Sequence, residues 1–191
     1  MRLTPKLDKR GRFAKVSRDE RMMKPLWAPW RMEYILSDRK GGECIFYTGE
    51  DRSEDARRLI LYVGDRTMVM MNRYPYINGH LLVAPVRHVP DLDALSAAEM
   101  TDLMAMVRAS VRVLKSALSP EGFNVGLNLG RVAGAGVEEH LHFHIVPRWS
   151  GDTNYMTVFG EVRVIPEHIR ETYRRLLPYF EEFKATDGGE G

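Results

Sequence analysis

Three histidines stand at alternate positions in the stretch EEHLHFHIVPRW, residues 138–149: His140, His142 and His144, with Leu141, Phe143 and Ile145 filling the gaps. On a strand, alternate side chains share one face and lie about 6.6 Å apart, so the pattern predicts imidazoles lining a groove while the apolar residues enter a core. Two kinds of chemistry use such a row. Imidazole is a common neutral metal ligand, and it is also a nucleophile whose neighbours orient it and carry protons. A metal site built from the row alone lacks acidic company, because at most one of Glu138 and Glu139 shares its face. The loop just before it, GRVAGAG at 130–136, favours the nucleophilic chemistry. Its glycines allow backbone N–H groups to converge on an anion, although no Gly-Lys-Ser/Thr follows and this is not a P-loop.

The elements that must hold this row alternate strand and helix. LILYVG (59–64) and TMVMMN (67–72) predict a hairpin around Gly64, and GHLLVAPV (79–86) a third strand entered through the turn YPYINGH. Ser96 and Glu99 form a capping-box pattern at the start of a helix. Met100, Leu103, Met104, Val107, Val111, Leu114 and Leu118 then recur at helical spacing, and SPEG (119–122) ends it. FNVGLNLG (123–130) and HLHFHIVP (140–147) read as the last two strands. A second helix is expected from Pro166, with a disturbance at Pro178. Five strands in hairpin-like succession, one long helix and a C-terminal helix predict an α+β fold with an antiparallel sheet.

Composition narrows the class. A chain of 191 residues with 44% hydrophobic residues can bury one core, so one domain is expected. A net charge of +2 against 28% charged residues argues against a nucleic-acid or membrane-surface partner. Cys44 is the single cysteine, which excludes an internal disulfide and fits a reducing compartment. No apolar run approaches the roughly 18 residues of a spanning helix, and the charged N-terminus lacks a signal-peptide core, so a cytoplasmic location is expected. Residues 1–24 are basic and aperiodic and read as a flexible, solvated arm; residues 183–191 read as a disordered tail.

His140-Leu141-His142-Phe143-His144-Ile145-Val146 resembles the histidine-triad (HIT) motif, in which three histidines alternate with apolar residues. MNRYPYINGHLLVAPVRHV (71–89) resembles the family's other signature, an Asn-containing strand that leads through Pro and Gly to a histidine strand. The resemblance spans residues 26–180 and implies a HIT-like fold over a domain at 25–182. Within the family, LWAPWRMEYI (26–35), NVGLNLGRVAGAG (124–136) and VPRWSGDTNYM (146–156) look most like bacterial diadenosine tetraphosphate phosphorylases, also called ATP adenylyltransferases.

The resemblance implies roles. His142 would attack the α-phosphorus of a nucleoside polyphosphate and form a covalent nucleotidyl-histidine. His140 and His144 would hydrogen-bond the phosphate oxygens or leaving group and hold His142 in its reactive tautomer. Asn72 would bind ribose hydroxyls, although alone it reads equally as a turn residue, and His80 would sit beside the nucleotide. Gly134 and Gly136 would offer backbone donors to the phosphates, with Asn128 as a polar neighbour. Many family hydrolases carry a Ser, Thr or Gln in or near this loop; AGAGV offers none, which turns the expectation toward transfer to phosphate. Several relatives have a zinc-binding Cys-x-x-Cys where this chain reads Cys44-Ile45-Phe46-Tyr47, with His88 and His140 at the places of the remaining ligands. Three ligands make a poor closed site. No cofactor is therefore expected, beyond a divalent metal accompanying the nucleotide.

Trp27, Trp30, Tyr34 and Phe46 form an aromatic cluster that reads as core or as an adenine wall. Arg148 would reach a distal phosphate or surface acids. Trp149 would come from a dimer partner's loop, since relatives dimerise by extending the sheet across two chains. The expected activity is diadenosine tetraphosphate plus phosphate to ATP plus ADP, the partners adenine nucleotides and inorganic phosphate, and the assembly a homodimer or dimer of dimers. A hydrolase of dinucleoside polyphosphates or nucleoside phosphoramidates, and a non-catalytic adenine-nucleotide sensor, are the rival readings.

Overall fold

The computed structural model describes residues 44–49, 51–152 and 167–187, with side chains described to residue 183. Trp27, Trp30, Tyr34, Pro166 and the arm at 1–24 lie outside those residues. A short helix α1 (Asp55–Arg58) leads into strands β1 (Ile60–Val63), β2 (Thr67–Met71) and β3 (Leu81–Pro85). The long helix α2 (Ala97–Leu118) follows, then β4 (Gly122–Leu127), a 3-10 turn (Arg131–Ala133), β5 (Phe143–Arg148) and helix α3 (Ile169–Asp187).

All pairs in the sheet are antiparallel, and the order is β1-β2-β3-β5-β4. The first three strands follow one another as expected, with the Gly64 amide closing the first turn onto the Thr67 carbonyl at 2.9 Å. The last two do not continue that succession: β5 inserts between β3 and β4. Burial explains the choice. Ile145 is wholly buried on β5, whereas Asn124, Val125 and Gly126 on β4 are exposed, so β4 tolerates the edge.

Alternation along the strands sorts two cores. On one face Val69, Met71, Leu81, Val83 and Ile145 meet Leu103, Val107 and Leu114 of α2, and Leu176 and Phe180 of α3. On the other, Ile60, Met68, Met70, Leu82 and Ala84 pack under Phe46. The capping box at Ser96 and Glu99 forms as predicted, and Ser119 ends α2 in the left-handed region. α3 begins after the expected Pro166, keeps Pro178 inside it, and runs to Asp187, past the boundary expected at residue 182. Among the described residues no helix is long and apolar enough to cross a membrane.

Gly79 is the hinge between this scaffold and the histidines. It has φ +77°, and a Cβ there would lie 2.6 Å from Leu118 Cδ1 and 3.3 Å from Pro147 Cγ. A left-handed φ in a non-glycine residue costs on the order of 1–3 kcal/mol, and the clash adds to it. Gly79→Ala is therefore expected to lose at least about 2 kcal/mol in urea unfolding; a midpoint equal to that of the parent would show that the turn relaxes freely.

Candidate functional site

β5 begins at Phe143, later than the expected start at residue 140, and the displacement shapes the site. The Leu141 amide donates to the Val89 carbonyl at 2.6 Å, so residues 140–142 leave the ladder and bend toward the chain that follows β3. The row consequently divides. His140 turns toward Cys44 and His88, with its ring centroid 4.8 Å from that of His88. His142 and His144 stay together, with centroids 4.9 Å apart. Phe46, wholly buried, is the wall between the two groups at 4.9 Å from both His140 and His142. Phe46 packs in the smaller core.

Hydrogen bonds to carbonyls assign the protons. His142 lies 2.8 Å through Nδ1 from the His140 carbonyl, which can only accept, so Nδ1 carries the hydrogen. The ring's lone pair is then on Nε2. His140 Nε2 lies 2.8 Å from the Pro85 carbonyl and must likewise donate. Its bare Nδ1 faces Cys44 Sγ at 3.3 Å. Both nitrogens of His140 are thus engaged within the protein and the residue is 1% exposed. Its backbone oxygen accepts from His142 Nδ1–H.

A second chain of bonds runs from the turn before β3. The Tyr76 amide donates to His80 Nδ1 at 3.1 Å, leaving the proton on Nε2. His80 Nε2 is 3.0 Å from His144 Nδ1 and donates to it, so a neutral His144 carries its own proton on Nε2. His80 is fully buried under the stacked ring of Tyr76, with centroids 4.9 Å apart. His80, expected beside the nucleotide, is bonded to His144. Asn72 accepts from the Tyr74 amide at 3.0 Å and faces His80 Nδ1 with its amide nitrogen at 3.4 Å. Its side-chain oxygen thereby shapes the turn.

The glycine loop is also arranged differently from the expected cradle. The Gly134 amide donates to the Arg131 carbonyl at 2.9 Å, and the amides of Ala133 and Ala135 point to the Gly130 carbonyl. Gly134 therefore does not offer that N–H to an anion. Gly136 lies exposed in the bend that follows. Asn128 braces the loop by donating to the Gly134 carbonyl at 3.4 Å. Arg148 pairs with Asp152 and donates to Asn124. The Trp149 indole donates to the Ser119 carbonyl of its own chain at 3.2 Å.

Two features of the site were not read from the sequence. Tyr76 supplies both an amide and a stacked ring to His80. Gly126 pairs with His144 across β4 and β5, and a Cβ there would meet nothing within 4 Å, so the sheet beside His144 is free of side-chain bulk. A lone glycine inside an alternating strand was the available signal.

Cys44, His88 and His140 come together as the weak metal candidates did in the sequence, with their ligand atoms within 4.8 Å of one another. A closed structural zinc takes four protein ligands. Among the described residues the group offers three.

The HIT domain model matches residues 53–151, which hold the whole arrangement from α1 through β5. The chain is 41% identical over 159 residues to an AP-4-A phosphorylase of Mycobacterium tuberculosis, covering 80% of this chain and 81% of that one. It is 37% identical over 93 residues to an asymmetrical bis(5'-nucleosyl)-tetraphosphatase of Schizosaccharomyces pombe, 49% of this chain and 50% of that one. A solved Sulfolobus tokodaii structure, described as a hypothetical histidine triad nucleotide-binding protein, is 25% identical with a TM-score of 0.57, over 77% of this chain and 98% of that one. Sheet, helices and histidines thus define a histidine-triad protein. The chain belongs to the HIT family.

Burial pushes both His140 and His142 below the ordinary histidine value; the hydrogen bonds to Pro85 and to the His140 carbonyl oppose this only in part. The unfolded chain then binds more protons than the folded one once pH falls below about 6.5. Stability is full above that value and is lost as pH falls through it toward the depressed folded values. The urea midpoint should drop between about pH 7.5 and about pH 5.5, and by less in His142→Asn than in the parent. A midpoint that rises on acidification would contradict neutral burial of these rings.

Proposed function

We propose that the protein is a nucleotidyltransferase that cleaves dinucleoside polyphosphates, with diadenosine tetraphosphate as substrate and inorganic phosphate as acceptor. One observation carries the reading: His142 is buried and neutral, with Nδ1–H fixed on a carbonyl and the Nε2 lone pair left for attack. Nε2 attacks an α-phosphorus, the bond to the leaving ATP breaks, and a nucleotidyl-imidazole remains. The His144 Nε2–H lies on the same strand to donate to the departing oxygen, with His80 behind it to share the charge. Phosphate then attacks the intermediate, releasing ADP and restoring His142. The likeness to the mycobacterial AP-4-A phosphorylase supports this substrate, and so does the absence of a Ser, Thr or Gln in AGAGV. The likeness to the S. pombe tetraphosphatase favours water as the alternative acceptor. In this reading no resident metal is required, because the nucleophile is a side chain and not a metal-bound water; a divalent cation accompanies the polyphosphate.

Purified protein given diadenosine tetraphosphate should yield ATP plus ADP only when phosphate is present, and His142→Ala should reduce turnover by about 10⁴-fold or more. AMP plus ATP in the absence of phosphate would transfer the assignment to the hydrolase. Binding with no product would mark a sensor.

We also propose a homodimer formed through β4. This strand is the sheet edge opposite β1, and Val125 and Leu129 are 45% and 44% exposed on and just beyond it. Val125→Arg is expected to convert the sedimenting species from dimer to monomer; an unchanged sedimentation coefficient would exclude this edge.

A further inference from the structure

We propose that Cys44 is a positioning residue for the nucleophile, its thiol fixing the His140 ring and, through it, the peptide that holds His142. The geometry of one peptide unit shows how. The carbonyl of His140 accepts from His142 Nδ1 at 2.8 Å, while the amide on the other side of the same peptide, Leu141 N–H, donates to the Val89 carbonyl at 2.6 Å. The orientation of that plane sets the direction of the His142 ring. The plane is anchored on its N-terminal side by the His140 side chain, which is held at both nitrogens. Nε2–H donates to the Pro85 carbonyl at 2.8 Å, and Nδ1, left without a hydrogen, accepts from the Cys44 S–H at 3.3 Å.

The thiol is itself placed by the backbone around it. The Tyr47 amide closes a turn onto the Cys44 carbonyl at 2.9 Å, and Arg58 donates to the Ile45 carbonyl at 2.9 Å and also to the Tyr47 carbonyl. Phe46, between these anchors, lies against His140 and His142 alike. The segment 44–47 is therefore a clamp with two prongs: an aromatic ring against both imidazoles, and a sulfur donor at the nitrogen that Pro85 leaves bare. Residue 47 is a tyrosine, 58% exposed, and among the described residues the cluster holds three of the four ligands of a closed metal site. A hydrogen bond between Cys44 and His140 provides the rigidity that a metal would otherwise give. Removing the donor leaves a buried acceptor unsatisfied and frees the ring to turn, which tilts the His140 carbonyl and loosens His142.

The test compares Cys44→Ala and Cys44→Ser with the parent. Its first readout needs no substrate and so stands apart from the proposed activity: the imidazole nitrogen NMR spectrum, in which His140 Nε2–H and His142 Nδ1–H give exchange-protected signals. Cys44→Ala should broaden or lose the His142 Nδ1–H signal while the protein stays folded by circular dichroism. Cys44→Ser, which keeps an O–H donor, should retain it. Where dinucleoside polyphosphate turnover is present, Cys44→Ala should lower kcat by about tenfold with KM unchanged, and Cys44→Ser should recover most of it. Zinc content of the purified parent, measured by plasma emission, should be far below one per chain. An unchanged His142 signal in Cys44→Ala would overturn the proposal. So would stoichiometric zinc whose removal by chelator abolishes that signal, because a metal and not the thiol hydrogen bond would then hold His140.

Discussion

One hydrogen bond sets the chemistry of the site: His142 Nδ1–H to the carbonyl of the residue two positions earlier. It fixes the tautomer, places the lone pair on Nε2 and prevents the ring from rotating about its own axis. A regular strand could not supply it, because ladder carbonyls lie in the plane of the sheet while side chains stand across it. The chain must leave the ladder at 140–142 and still return to it at Phe143. The Leu141–Val89 bond and the His140–Pro85 bond hold the bend on one side, and the pairing of Phe143 with Val83 and Leu127 resumes the strand on the other. The irregularity has a stated partner for each of these polar groups, as a buried departure from secondary structure requires.

The two faces of the sheet divide the labour. The helical face buries the larger cluster, with α2 and α3 laid over β1, β2, β3 and β5, and carries most of the burial that holds the fold. Among the described residues the opposite face has a smaller core, closed by the segment around Phe46. On that face His142 is buried, and His144 lies next to Gly126 on β4. Asn78, Thr172 and Glu167 tie the turn before His80 to the start of α3, so the turn that positions the second pair of histidines is fastened to the scaffold and does not float on its surface.

Electrostatics follow from the same burial. Carboxylates close to His142 would raise its affinity for protons and repel the anionic substrate that the proposed reaction requires. Among the described residues the acidic groups pair instead with arginines around the periphery, as Arg87 does with Glu99 and Arg148 with Asp152. The inner groups are imidazoles, a thiol and peptides joined by directional hydrogen bonds, and burial holds His140 and His142 below the ordinary histidine value.

Spacing alone made much of this legible. The period of two in the histidine row, the helical period after Ser96 with its capping box, and the hairpin at Gly64 each depend on contacts within a few residues, and each is present. The family, too, was readable from His140 to Val146 and from Asn72 to His80. What spacing could not give was direction. Alternation predicted three equivalent imidazoles, but the division of the row depends on Val89 and Pro85, more than fifty residues earlier in the chain. The insertion of β5 between β3 and β4, the turning of the Gly134 amide into its own loop, and the meeting of Cys44 with His140 are likewise long-range or whole-loop decisions. Local sequence determines which face a side chain occupies, because that is a property of backbone periodicity. Which nitrogen of a histidine is held, and by what, is settled only when distant segments pack and every buried donor must find an acceptor.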